Sequence, residues 1–194
     1  SGLGLMVGAG CSVVVSIHLA QGKLKIARLN IAQAILFASL ATLFIVGAIA
    51  IFPSETARLL GASETLLPHV VNYMIWLLPG FIFEMFSFIG LFVIRLDGAP
   101  RYAMWCNIIP AVLNAILDWV LVFPVGMGVE GAGLATSFCM VLGGLMALGY
   151  LLFKANKLHL ELPKLSLKSL RLTLRNIGYQ CRIGFSSLMG ELAV

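Results

Sequence analysis

Apolar residues run along this chain in long blocks separated by short polar segments. Four blocks, about 30–52, 66–94, 102–123 and 131–153, reach the roughly 20 residues that a helix needs to cross a bilayer. Partial blocks occupy 1–17 and about 183–194. The pattern predicts an all-α, polytopic membrane helix bundle. The 66–94 block is longer than one crossing requires, which predicts a tilted or kinked helix with Pro79 at the bend. Pro110 is placed to bend 102–123 in the same way. Small residues four apart, Gly4 with Gly8 and Gly143 with Ala147, predict close helix contacts.

Composition agrees with this reading. The chain is 60% hydrophobic and 11% charged, against about 25% charged residues in soluble domains, and its mean hydropathy is +1.02. It opens inside one apolar stretch and stops inside another, with no cleavage pattern for a secretory leader, and so reads as an internal piece of a longer polytopic protein. The four cysteines have no Cys-x-x-Cys spacing and lie in or beside apolar blocks, as small buried hydrophobes do.

Charge orients the spans. Twelve of the thirteen Lys and Arg residues fall in alternate loops, around 18–29, 95–101 and 154–182. Cytoplasmic loops carry this excess, so the loops near 53–65 and 124–130 are external. The +5 net charge is thereby explained without a nucleic-acid partner, for which no basic groove with interleaved aromatics is present. Pro53–Gly61 reads as a short external helix capped by Ser54, with Ser63 capping the next helix. The glycine-rich run 124–131 reads as a tight helical hairpin. In the last basic loop Lys164, Lys168, Arg171 and Arg175 share one helical face, and Leu167, Leu170, Leu174 and Ile177 the neighbouring one. That pattern predicts an amphipathic helix on the anionic cytoplasmic leaflet. The organisation is then a membrane bundle over 1–153, an amphipathic linker over 154–182, and the start of a second lobe over 183–194.

Candidate chemistry centres on Asp118, the sole charge in the 22-residue span Tyr102–Phe123. A helix-centre Asp costs about 2.5–3.5 kcal/mol on insertion scales, so it faces a protein interior or a water-filled cavity. Asn114 lies one turn earlier on the same face, in a stripe that reaches back through Ala111 to Asn107. Two chemistries fit the pair. Asp118 can take up and release a proton as its surroundings close and open to water, or stay ionised and, with the Asn114 oxygen, hold Na⁺. A structural hydrogen-bonded pair is the plainer alternative.

Glu84, between Gly80 and Ser87, is a second intramembrane acid, facing either a cavity or a partner on another helix. Glu191 is a third, in the last partial span. Trp76 suits an aromatic-belt anchor, and His18, His69 and His159 sit near span ends or in loops. No metal-protease, nucleophile-elbow or phosphate-loop motif occurs, so neither enzyme activity nor a resident cofactor is expected. An intramembrane enzyme using Asp118 with Glu84 would need the two acids adjacent, and they lie toward opposite sides of the membrane.

The segments IRLDGAPRYAM and NAILDWVLVFPVGMGVEGAGLAT resemble the multidrug and toxic compound extrusion (MATE) transporters, whose fifth helix carries Asn-x-x-x-Asp before a glycine turn and a sixth helix with Ala-Thr. GLGLMVGAGCSVVVSIHLAQGK, ARLLGAS and IGFSSLMGEL resemble the second helix, the segment between helices three and four, and the start of helix seven. The resemblance implies most of an N-terminal lobe, from within helix two to the start of helix seven. It implies a twelve-helix plasma-membrane exporter, monomeric when full length, that moves small cationic or amphipathic organic molecules by alternating access, driven by H⁺ or Na⁺. It maps Asn114 and Asp118 onto the ion-linked pair, adds Tyr73 and Thr136 to the same polar network, and likens Glu191 to cation-binding acids of helix seven. Where the family often has Pro after the helix-five Asp, this chain has Trp119. A flippase of the same superfamily, moving a lipid-linked sugar, is the alternative; every basic residue here lies in a loop, which favours cationic or neutral cargo.

Overall fold

The computed structural model of the chain describes residues 2–61, 63–160 and 167–192. Among these there are helices and no strands: α1 (Gly2–Ala20), α2 (Leu24–Ile51), α3 (Pro53–Leu59), α4 (Leu67–Leu96), α5 (Pro100–Val122), α6 (Gly128–Gly149) and α7 (Leu167–Leu192). A single π-helical turn, Tyr150–Lys154, extends α6. Four of these elements are long and apolar enough to span a membrane: α2, α4, α5, and α6 with its π turn. Prolines open α3, α4 and α5, where a missing N–H breaks no helical bond. Both α4 and α5 remain helical through Pro79 and Pro110. Gly98, at φ 92°, allows the short reversal between them.

Several boundaries differ from the sequence expectation. Helix α2 begins at Leu24, not near 30, because Lys25 and Arg28 are good helix formers whose charged heads leave the apolar zone. No side-chain cap forms at Ser54 or Ser63. The first lies inside α3 behind Phe52, and the second accepts the Leu66 and Leu67 amides through its backbone carbonyl. The expected linker helix and the expected last span run together as α7. Arg175 is exposed and Ile177 buried on it, while Lys164 and the side chains of 167–174 lie outside the described residues.

Hydrogen bonds sort the loops into the two ends that charge assigned. The Arg28 Nε donates to the Lys157 carbonyl at 2.8 Å, joining the first and last basic loops. At the opposite end the Asn72 amide donates to Glu130 at 2.9 Å, and Arg58 pairs with Glu64 at 3.3 Å. The packed apolar core lies toward the basic end. It gathers Val15 of α1, Ile31 of α2, Ile89 and Val93 of α4, Cys106 of α5 and Leu151 of the π turn.

Close backbone approach makes this packing possible. A methyl at Gly144 of α6 would meet the Phe83 carbonyl of α4, and one at Gly80 would lie 2.9 Å from the Ser137 Cα. Gly4 and Gly8 take the side chains of Phe88 and Phe92 in the same way, so α1 also lies along α4. Helix α7 crosses α1 where Gly10 faces the Gln180 carbonyl and Gly184 faces that of Met6. Outward-facing positions such as Phe44, Val112 and Trp119 stay apolar and exposed, as a lipid-facing surface requires.

Candidate ion-coupling site and cavity

Helices α5 and α6 run antiparallel through the glycine turn at 123–127, which brings Asn114 opposite Thr136. The Thr136 hydroxyl donates to the Ala132 carbonyl one turn back, at 2.9 Å. Its single proton is thereby used, and its oxygen accepts the Asn114 amide N–H at 3.3 Å. This order of donation fixes the amide's orientation. Asn114 must give its nitrogen to Thr136, which leaves its own carbonyl oxygen available as a ligand.

Asp118 stands one turn further toward the α5–α6 turn, half-buried. Its Oδ1 is buried and receives no hydrogen bond. A buried carboxylate oxygen without a donor is costly unless a proton or a cation occupies it. Asp118 carries one such oxygen, and one turn away Thr136 takes the Asn114 amide N–H and not its carbonyl oxygen. Tyr73 lies beside this group without joining it. Its ring packs against Gly133, one turn from Thr136, at 3.1 Å from the position a Cβ would take there, and no hydrogen bond links it to the network.

A cavity of about 240 Å³ opens between α4, α5 and α6, reaching Glu84, Phe88, Asn107, Asn114, Thr136 and Met140. It therefore touches both the Asn114–Thr136 pair and Glu84. Glu84 Oε2 is likewise buried without a partner. The two acids are not hydrogen-bonded to one another, and only Glu84 lines the cavity. Among the described residues no Lys or Arg lines it. Glu191 falls in the last turn of α7, with its side chain outside the described residues.

Two polar groupings escaped the sequence reading. One is a set of amides between α2 and α7, three of them buried, in which Gln180 donates to Asn30 and the half-buried Asn176 to Gln33, each at 3.5 Å. The other is Asp97, buried with 7% exposure in the turn after α4. Burial alone would push the Asp97 carboxyl up. The backbone N–H groups of Asn156, Lys157 and Leu158 and the Tyr150 hydroxyl outweigh it and hold the carboxyl below the usual carboxylate range. The available signal was its position: with Glu161, it is one of two acids among the basic loops.

A bundle of spanning helices with two unpartnered buried carboxylate oxygens, one of them on a cavity between the helices, suits a membrane transporter lobe. The chain belongs to the MATE family, whose model, described as MatE, matches residues 1–120. It is 32% identical over 158 residues to a Shewanella oneidensis protein named FAD transporter, covering 78% of this chain and 34% of that one. Among solved structures it is similar to an inward-facing multidrug resistance MATE family transporter of the MOP superfamily, with TM-score 0.83, 22% identity, and coverage of 98% of this chain and 42% of that one. A MOP superfamily transporter from Pyrococcus furiosus, described for the reverse polarity of its binding pocket, gives TM-score 0.79 at 23% identity, over 98% and 41% of the two chains. The chain thus spans about a third of the curated relative and two fifths of the solved transporters. The structural likeness confirms the fold: an all-α membrane bundle of MATE type.

Proposed function

We propose that this lobe belongs to a secondary active exporter working by alternating access in the plasma membrane, with Asp118 and Asn114 as the proton or Na⁺ site. The observation that carries the reading is the unpartnered, buried Asp118 Oδ1 one turn from an amide whose oxygen Thr136 leaves available. Occupancy of that site by a cation changes the local charge in a low-dielectric bundle, which biases one helix arrangement over another. The lobe adjoins cargo through the Glu84–Asn114 cavity, whose acid and apolar walls favour small cationic or amphipathic organic molecules.

The FAD-transporter relative supports a second cargo, a flavin nucleotide. A pyrophosphate would find no Lys or Arg among the described residues of this cavity, and the same holds for a lipid-linked sugar diphosphate. Proteoliposomes of the full-length protein, given pH and Na⁺ gradients separately, test both points. Saturable, gradient-dependent movement of a cationic dye and none of FAD is the expected result. Gradient-dependent FAD movement alone would replace the cationic cargo, and gradient-independent leak of either would remove the exporter reading.

A further inference from the structure

Three segments at the basic end converge on one short strap, residues 155–160. The Asp97 Oδ2 accepts the Tyr150 hydroxyl at 2.9 Å and the Asn156 N–H at 2.7 Å. Its Oδ1 accepts the N–H groups of Lys157 at 2.8 Å and Leu158 at 2.9 Å. Consecutive amides arranged in a concave set bind anions. Here the anion is the protein's own side chain, delivered by the α4–α5 turn.

The π turn makes this geometry possible. The Ala155 N–H bonds back five residues to the Tyr150 carbonyl at 2.8 Å, and Ala155 itself is extended, at φ −60° and ψ 133°. The chain therefore leaves the helix with the 156–158 amides turned toward Asp97. Tyr150 and Leu158 are themselves part of the packed core, at 4% and 0% exposure. From the other side Arg28 holds the strap by the Lys157 carbonyl.

We propose that Asp97 is a positioning residue of the transport cycle. It pins the strap so that the chain leaving α6 for α7 departs from one fixed point on this lobe. The proposal rests on the alternating-access reading, since a fixed departure point matters only if the lobes move. A carboxylate is needed because four donors face it. An asparagine there would turn its own NH₂ against one of them.

Hydrogen exchange of the full-length protein reads the three amides directly, with turnover measured on the same preparations. For Asp97→Asn the amides of 156–158 should exchange at least tenfold faster, with protection of α4 and α6 unchanged. Turnover should fall several-fold at an unchanged KM for the dye, because the cavity is untouched. Tyr150→Phe, which keeps three of the four bonds, should show a smaller change in both. Unchanged exchange in Asp97→Asn overturns the clasp, and faster exchange with wild-type turnover overturns its role in the cycle. If Asp97→Asn loses protection throughout, Tyr150→Phe decides, and wild-type behaviour in both readouts counts against the proposal. Exchange is read without cargo or gradient, so a wild-type protein that moves no dye would defeat the transport reading while the clasp is judged separately.

Discussion

Thr136 illustrates how one hydroxyl can set the chemistry of a neighbour. Because its proton goes to the Ala132 carbonyl, it can only accept from Asn114, and the amide oxygen is left for a ligand. Thr136→Val keeps the shape and removes the acceptor, so the amide can turn over. The gradient needed for half-maximal export should then rise several-fold, measured by titrating external Na⁺ or pH in proteoliposomes; an unchanged midpoint would separate Thr136 from the site. The Asn114–Asp118 stripe was legible from helical spacing, and the approach of Thr136 to Asn114 only from the family resemblance. Tyr73 was expected in the same network, yet the structure places its ring against Gly133 and gives it no bond to Thr136. Spacing gives the face a residue occupies, but not whether a hydroxyl reaches its neighbour.

At the level of helices, glycines decide which pairs can close. Gly144 lies against the Phe83 backbone, whereas Gly149, five residues on, faces open space. Gly144→Ala should destabilise the lobe by about 1–3 kcal/mol through overpacking. Gly149→Ala should be neutral or stabilising by up to ~1 kcal/mol through helix propensity. Thermal unfolding of the two variants in detergent checks the contrast, and equal shifts would refute the packing argument. Span number and the sorting of the loops into two ends were readable because hydropathy and loop charge are summed over many residues. The start of α2 was not, since charge marks the edge of the apolar zone and not the end of the helix. Nor were the continuity of α7 and the strap after the π turn, since each depends on contacts between segments far apart in sequence. Asp97 is the clearest case. Asp-Gly-Ala-Pro reads locally as a turn, and its four donors come from residues more than fifty positions away.

The Asp97 clasp also has a defined pH range. Its folded carboxyl titrates below the unfolded value of about 3.9. Its contribution is therefore fully present above that value and is lost as pH falls through the lower, folded one. The difference in melting temperature between wild type and Asp97→Asn should stay flat from about pH 8 to about pH 5. It should shrink only below about pH 4, and a difference that disappears near neutrality would contradict the hydrogen-bonding account.

Across the whole molecule, the ends of the bundle differ in what they do. The basic end is closed by core packing and by Asp97 and Arg28, whereas the middle holds the cavity with Glu84, and Asp118 lies toward the opposite end. That division suits a lobe that moves as a body while ions and cargo exchange within it. The central claim is that Asp118 couples a cation gradient to cargo movement. Asp118→Asn keeps the shape and removes the charge, and gradient-driven dye export by the full-length variant, at matched expression in proteoliposomes, tests it most directly. The account predicts export below about a tenth of wild type, the scale of losing a charged-group interaction of at least ~1.4 kcal/mol, with dye binding retained in the absence of a gradient. Export at the wild-type rate would contradict it.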